Sequence, residues 1–189
     1  MVKNIADKIT LYIKYNSYIK DNDSIEKINY SIQVLVNETF KLVVLFTLFT
    51  VLGKLNYFLF SLIILLSTRT FSGGYHSNST LLCLFWTTTF FLFTSIICPL
   101  IPVFTAWIYY ILALAGITTF LLKSPCENKT RPTRNKKRIL HFKIISTCFT
   151  VFWMIVLLFF ISDDSYLNCG FFTILLQLPQ LIYLKREDV

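Results

Sequence analysis

Long uncharged apolar runs decide what this chain can fold into. Residues 81–98, 103–122, 144–162 and 166–184 each reach the roughly 18 apolar residues that a helix needs to cross a bilayer core. Residues 42–52 are wholly apolar apart from threonine, and residues 55–68 continue the pattern after Gly53-Lys54. Two readings compete there. One is a single long helix with a charge at its middle, and the other is a tight hairpin with Gly53-Lys54 at the tip. A lysine at mid-bilayer is costly and glycine punctuates helices, which favours the hairpin. The expected fold class is therefore all-α: a polytopic bundle of about six membrane helices, preceded by amphipathic helices. With 189 residues, 55% of them hydrophobic, one membrane domain is expected and no soluble module.

Residues 1–40 differ from the rest. Ile5, Ile9, Tyr12 and Ile13 fall on one helical face, with Lys3, Asp7, Lys8 and Lys14 mostly elsewhere. Asp21-Asn22-Asp23-Ser24 offers an N-cap, and Ile25, Ile28, Ile32, Leu35 and Val36 make a second apolar face. These read as one or two helices at the cytoplasmic membrane surface, with the bundle over residues 41–189. Met1 to Lys20 lacks the continuous apolar core of a secretory signal.

The charge is +8. In a soluble chain that balance points to nucleic acid; here no soluble fold remains to present it, and nucleic acid is excluded as a partner. Basic residues collect instead in cytoplasmic loops. Lys123, Lys129, Arg131, Arg134, Lys136, Lys137, Arg138 and Lys143 face Glu127 alone, which puts residues 123–143 inside. Six spans then place both termini and residues 69–80 inside, and Asp163-Asp164 and Pro99–Pro102 outside. Lys54 is the dissenting charge.

Reactive side chains are densest in residues 69–83. His76 follows a Gly-Gly pair, and Cys83 lies seven residues on, at the mouth of the third span. A cysteine nucleophile needs a base, or a cation that stabilises its thiolate. His76 is the candidate base. Arg69 and the helix N-terminus at Cys83 are candidates to lower the thiol pKa. Gly73 and Gly74 are candidates for presenting backbone N–H groups to an oxyanion. The plainer reading makes Cys83 a packing residue and His76 a headgroup contact. Cys126 and His141 form a rival pair in the basic loop, without a glycine turn. A third catalytic group is scarce, since no Asp or Glu occurs between Glu38 and Glu127. Glu38, Gln33, Asn78 or a backbone carbonyl remain. The five cysteines show neither disulfide nor zinc spacing, and no metal or cofactor is expected. A transporter or a non-catalytic scaffold are the competing classes; the spans show almost no polar residues at mid-depth to serve transport.

The order Arg69, Gly74, His76, Cys83 between a second and a third membrane segment resembles the accessory gene regulator B (AgrB) family. These are membrane cysteine endopeptidases of Gram-positive quorum sensing. Gln33 in the amphipathic region and a basic loop near Pro125 and Pro132 extend the likeness over nearly the whole chain. The resemblance implies His76 and Cys83 as the catalytic pair. It implies an AgrD-like pro-peptide as substrate, with an amphipathic leader and an acidic C-terminal tail. Removal of the tail and closure of a thiolactone or lactone ring make the autoinducing peptide. It further implies a homodimer in the cell membrane. Lys129, Arg131, Arg134, Lys136, Lys137 and Arg138 suit an acidic tail by long-range attraction.

Overall fold

A computed structural model describes residues 2–16, 21–73, 80–126 and 136–184. Among them every regular element is a helix: α1 Val2–Asn16, α2 Asn22–Val51, α3 Leu55–Ser72, α4 Thr80–Leu92, α5 Ala106–Lys123, α6 Lys136–Phe159, α7 Asp164–Leu175 and α8 Leu178–Leu184. Helix α4 runs on through a π turn, Phe93–Ile97, and a 3-10 turn, Cys98–Leu100. Five helical stretches are long and apolar enough to cross a membrane, as expected of a multi-pass membrane protein. The chain divides into two compact units, Met1–Gly53 and Lys54–Val189.

The first unit is α1 against α2. Asp21 caps α2, accepting from the Ser24 amide at 3.2 Å and the Ser24 hydroxyl at 2.8 Å. Those bonds hold its carboxyl below the usual carboxylate range. The buried line of α1 is Ala6 and Thr10, while Ile5, Ile9 and Tyr12 stay exposed, as a helix lying on a lipid surface requires. The amphipathic region and the first span had been expected to meet near residue 40. They form one helix instead, because nothing between Asn22 and Val51 breaks it. At 30 residues it extends about 45 Å, more than a hydrocarbon core needs. It ends where the sequence places a turn: Gly53 has φ +65°, and α3 starts at Leu55.

In the second unit the spans pack through aromatic and polar contacts. Lipid is as apolar as leucine, so only packing and hydrogen bonds favour helix association there. Phe58 meets Phe91 edge-on at 4.9 Å, and Phe71 stacks on Phe149 at 5.7 Å. Gly170 lets α7 approach α6: a Cβ there would lie 2.3 Å from Leu157 Cδ2.

A neutral polar ladder runs between α3 and α7. Ser61 Oγ and Cys169 Sγ are 3.0 Å apart, Thr173 donates to Ser61 at 3.0 Å, and Thr68 donates to Gln177 Oε1 at 2.9 Å. Such bonds average about 0.6 kcal/mol each in a bilayer. The spans thus hold more polar side chains at depth than the sequence reading allowed, but these bond to one another.

The sixth apolar segment is not one helix. It breaks at Leu176–Gln177, between α7 and α8. Pro179 has no N–H to give the Leu175 carbonyl, and its ring crowds that turn. Gln177 compensates through its side chain, donating to Thr173 O at 3.0 Å.

Candidate active site

The second unit has two distinguishable ends. At one, Asn168 donates to Ile101 O at 2.7 Å, Tyr109 donates to Asn168, and Tyr57 packs on Tyr166. Asp163 caps α7 there, accepting from the Ser165 amide at 2.8 Å. At the other, Cys126 N–H donates to Ser72 O at 2.9 Å, the Ser124 and Ser146 hydroxyls lie 2.6 Å apart, and Phe71 meets Phe142. The segments that charge assigned to opposite sides of the bilayer therefore sit at opposite ends.

Cys83 belongs to the second end. It lies near the start of the described part of α4, Thr80–Leu92, and Cys98 is fifteen positions further along a mostly α-helical stretch. That is a rise of about 22 Å. The cysteine is half-buried, and its carbonyl accepts from Thr87 at 2.8 Å. His76, Gly74 and Asn78 lie outside the described residues.

Arg69 is half-buried in the last turn of α3, where a cation complements the helix dipole. Its carbonyl accepts the Gly73 N–H at 3.0 Å. The Gly73 amide thus closes the helix and is engaged there, where the sequence reading had made it a candidate oxyanion donor. Gly73 itself has φ +75°, a conformation that suits glycine.

Gln33 and Glu38 both lie on α2, in the first unit. Gln33 Nε2 donates to Asn29 Oδ1 at 2.7 Å, and Asn29 Nδ2 donates to Asp7 Oδ1 at 2.8 Å. This chain orients the Gln33 amide and ties α1 to α2. Glu38 pairs with the buried Lys41 at 2.5 Å.

The members of the rival pair differ in their settings. The Cys126 thiol donates to Leu181 O at 3.5 Å and packs against the apolar core, whereas His141 is exposed on α6. Lys136, Lys137 and Arg138 are the first described residues of α6. Lys129, Arg131 and Arg134 lie outside the described residues. No cluster of metal-binding side chains forms among the described residues.

Sequence reasoning missed Asn29 and Asp7, which support Gln33, and the Ser124–Ser146 bond. Polar residues at i and i+4 on α2 were the available signal for Asn29. Nothing local announces the contact between Cys126 and Ser72.

These features define a multi-pass α-helical membrane protein with a half-buried cysteine at the mouth of one span and a basic helical segment at the same end. The family model for accessory gene regulator B matches residues 6–181, and the chain belongs to that family. A putative AgrB-like protein of Clostridium beijerinckii is 29% identical over all of this chain and 92% of its own length. The accessory gene regulator protein B of Staphylococcus saprophyticus is 27% identical over the full length of both. No solved structure matches the chain significantly. Membership supports a role in quorum sensing.

Proposed function

We propose that this chain is a membrane cysteine endopeptidase that matures an AgrD-like pro-peptide, with Cys83 as nucleophile and His76 as base. The observation that carries the reading is the place of Cys83: half-buried in α4, about 22 Å along the span from Cys98. A cysteine there has an apolar span behind it to limit water. The other described cysteines fit less well. Cys98 and Cys169 are buried, Cys126 is bonded to Leu181 O, and Cys148 is exposed in mid-span.

In this mechanism His76 takes the Cys83 proton. The thiolate attacks the carbonyl that precedes the acidic tail, forming a tetrahedral oxyanion. Collapse breaks the peptide bond, the leaving amine takes a proton from His76, and Cys83 is left acylated. A thiol or hydroxyl within the peptide then attacks the thioester, closing a thiolactone or lactone ring and returning the Cys83 thiol. Exchange of a thioester for a thioester conserves the activated bond, provided water is kept out. The cationic start of α6, with Lys136–Arg138, would draw the acidic tail, and this end would face the cytoplasm.

The test is to trap the acyl-enzyme with a precursor peptide and map the adduct by mass spectrometry. The adduct is expected on Cys83 and absent in Cys83→Ala. An adduct on Cys126 would overturn the assignment.

A further inference from the structure

Cys83 shares its flank of α4 with aromatic rings. Successive helical residues turn by about 100°, so Trp86 and Phe90 come back to within about 60° of Cys83. They stand about 5 Å and about 10 Å further along the axis, away from the mouth of the span. Trp86 is 58% exposed, and Phe90 is half-buried. Phe85 meets the Trp86 ring edge-on at 5.9 Å. The helix is held to the second unit from another side. Phe91, about 80° round from Cys83, is buried edge-on against Phe58 of α3 at 4.9 Å. The π turn beyond it packs on α3 and α7. Cys83 thus stands at the border between the face of α4 that packs and a flank that is open and aromatic.

Residues at i and i+3 on a helix lie about 5–6 Å apart at Cβ, and their side chains lean toward the N-terminus. The surface over the turn of Cys83 is therefore the surface that Trp86 reaches, with Phe90 one turn deeper. An acyl group carried on Cys83 Sγ comes within range of the indole. Charge says which part of a substrate covers the flank. An acidic tail belongs with the basic segment at the mouth. The flank runs the other way from Cys83, into the apolar span, and so suits the residues before the scissile bond.

We propose that Trp86 is a specificity-determining residue: with Phe90 it receives the side chain of the residue whose carbonyl Cys83 attacks, and it favours a large apolar side chain over a small one. The proposal rests on the proposed function and adds the chemical class of that substrate residue. A tryptophan that only anchored the helix at the membrane interface would act alike on every substrate.

The experiment mixes the full chain in detergent with the benzyl thioesters of N-acetylleucine and N-acetylalanine. Exchange passes the aminoacyl group to a cysteine sulfur and releases benzyl thiol. Mass spectrometry follows Cys83, with the exposed, mid-span Cys148 as the reference for partition into detergent. Once divided by the Cys148 ratio, the leucyl rate at Cys83 is expected to exceed the alanyl rate about tenfold, and Trp86→Ala to cut that preference to about twofold with the alanyl rate kept. Trp86→Phe should keep most of it, and Phe90→Ala should reduce it about threefold, so that the test does not hang on the folding of one variant. Full leucyl preference in both alanine variants, or none in the wild type, would overturn the proposal with Cys83 still the reactive thiol. Failure of the proposed function reads differently. Cys83 would then exchange no faster than Cys148 with the alanyl probe, His76→Ala would change neither rate, and the proposal would fall with it.

Discussion

At the scale of single residues, the two candidate cysteines differ in what holds them. Cys126 is tied by its thiol to Leu181 O and by its amide to Ser72 O. Cys83 is half-buried near the start of the described part of α4. Cys83→Ala and His76→Ala are therefore each expected to abolish cleavage of a precursor while leaving membrane insertion and precursor binding intact. Cys83→Ser should retain little activity, since a hydroxyl is far less ionised than a thiol near neutral pH. Cys126→Ala and His141→Ala should cleave within about threefold of wild type, as substitutions away from the reacting atoms do. Precursor cleavage followed on a gel, with binding measured in parallel, checks all four. Full cleavage by Cys83→Ala would end the assignment.

At the scale of helices, close approach in a bilayer depends on small residues, and Gly170 is the clearest case. A methyl at that position meets Leu157 Cδ2 at 2.3 Å, well inside van der Waals contact. Gly170→Ala is expected to destabilise the protein by about 1–3 kcal/mol, the usual cost of overpacking. In a Leu157→Ala background the same change should cost little, because the methyl enters vacated space. Thermal unfolding of the four proteins in detergent measures the coupling, and an equal cost in both backgrounds would contradict the contact. The sequence made some of this architecture legible. Apolar length marked the spans, and Gly53-Lys54 marked the end of α2. It hid the continuity of α2 across residue 40, because an amphipathic stretch and an apolar one share the same helical period. Pro179 was a visible signal for the break at Leu176–Gln177, outweighed by the hydrophobic run around it. The partners of Ser61, Thr68 and Thr173 were unreadable, since a hydroxyl in a span can equally bond its own helix. At the site, spacing singled out Cys83 and His76 as candidates, whereas the contact of Cys126 with Ser72 joins residues 54 apart.

At the scale of the molecule, charge sorts the two ends of the second unit. Asp163 and Asp164 sit at the start of α7 at one end, and Lys123, Lys137 and Lys143 lie toward the other. If the basic end is cytoplasmic, as the positive-inside rule has it, then Asn78→Cys and Asn135→Cys should label only from the cytoplasmic face. The basic start of α6 makes a sharper prediction. Lys136, Lys137 and Arg138 are the first described residues of α6. When all three are neutralised to glutamine, processing of an acidic-tailed precursor should weaken, chiefly through KM. Screening sets the salt dependence: the Debye length is about 10 Å at 0.1 M salt and about 3 Å at 1 M. The gap between wild type and variant should therefore be widest at low salt and close as salt rises. The same charges direct insertion, so labelling at position 135 must first show the variant in its normal orientation. A correctly inserted triple variant with wild-type KM at low salt, or a KM defect that salt does not change, would show that these cations do not hold the tail.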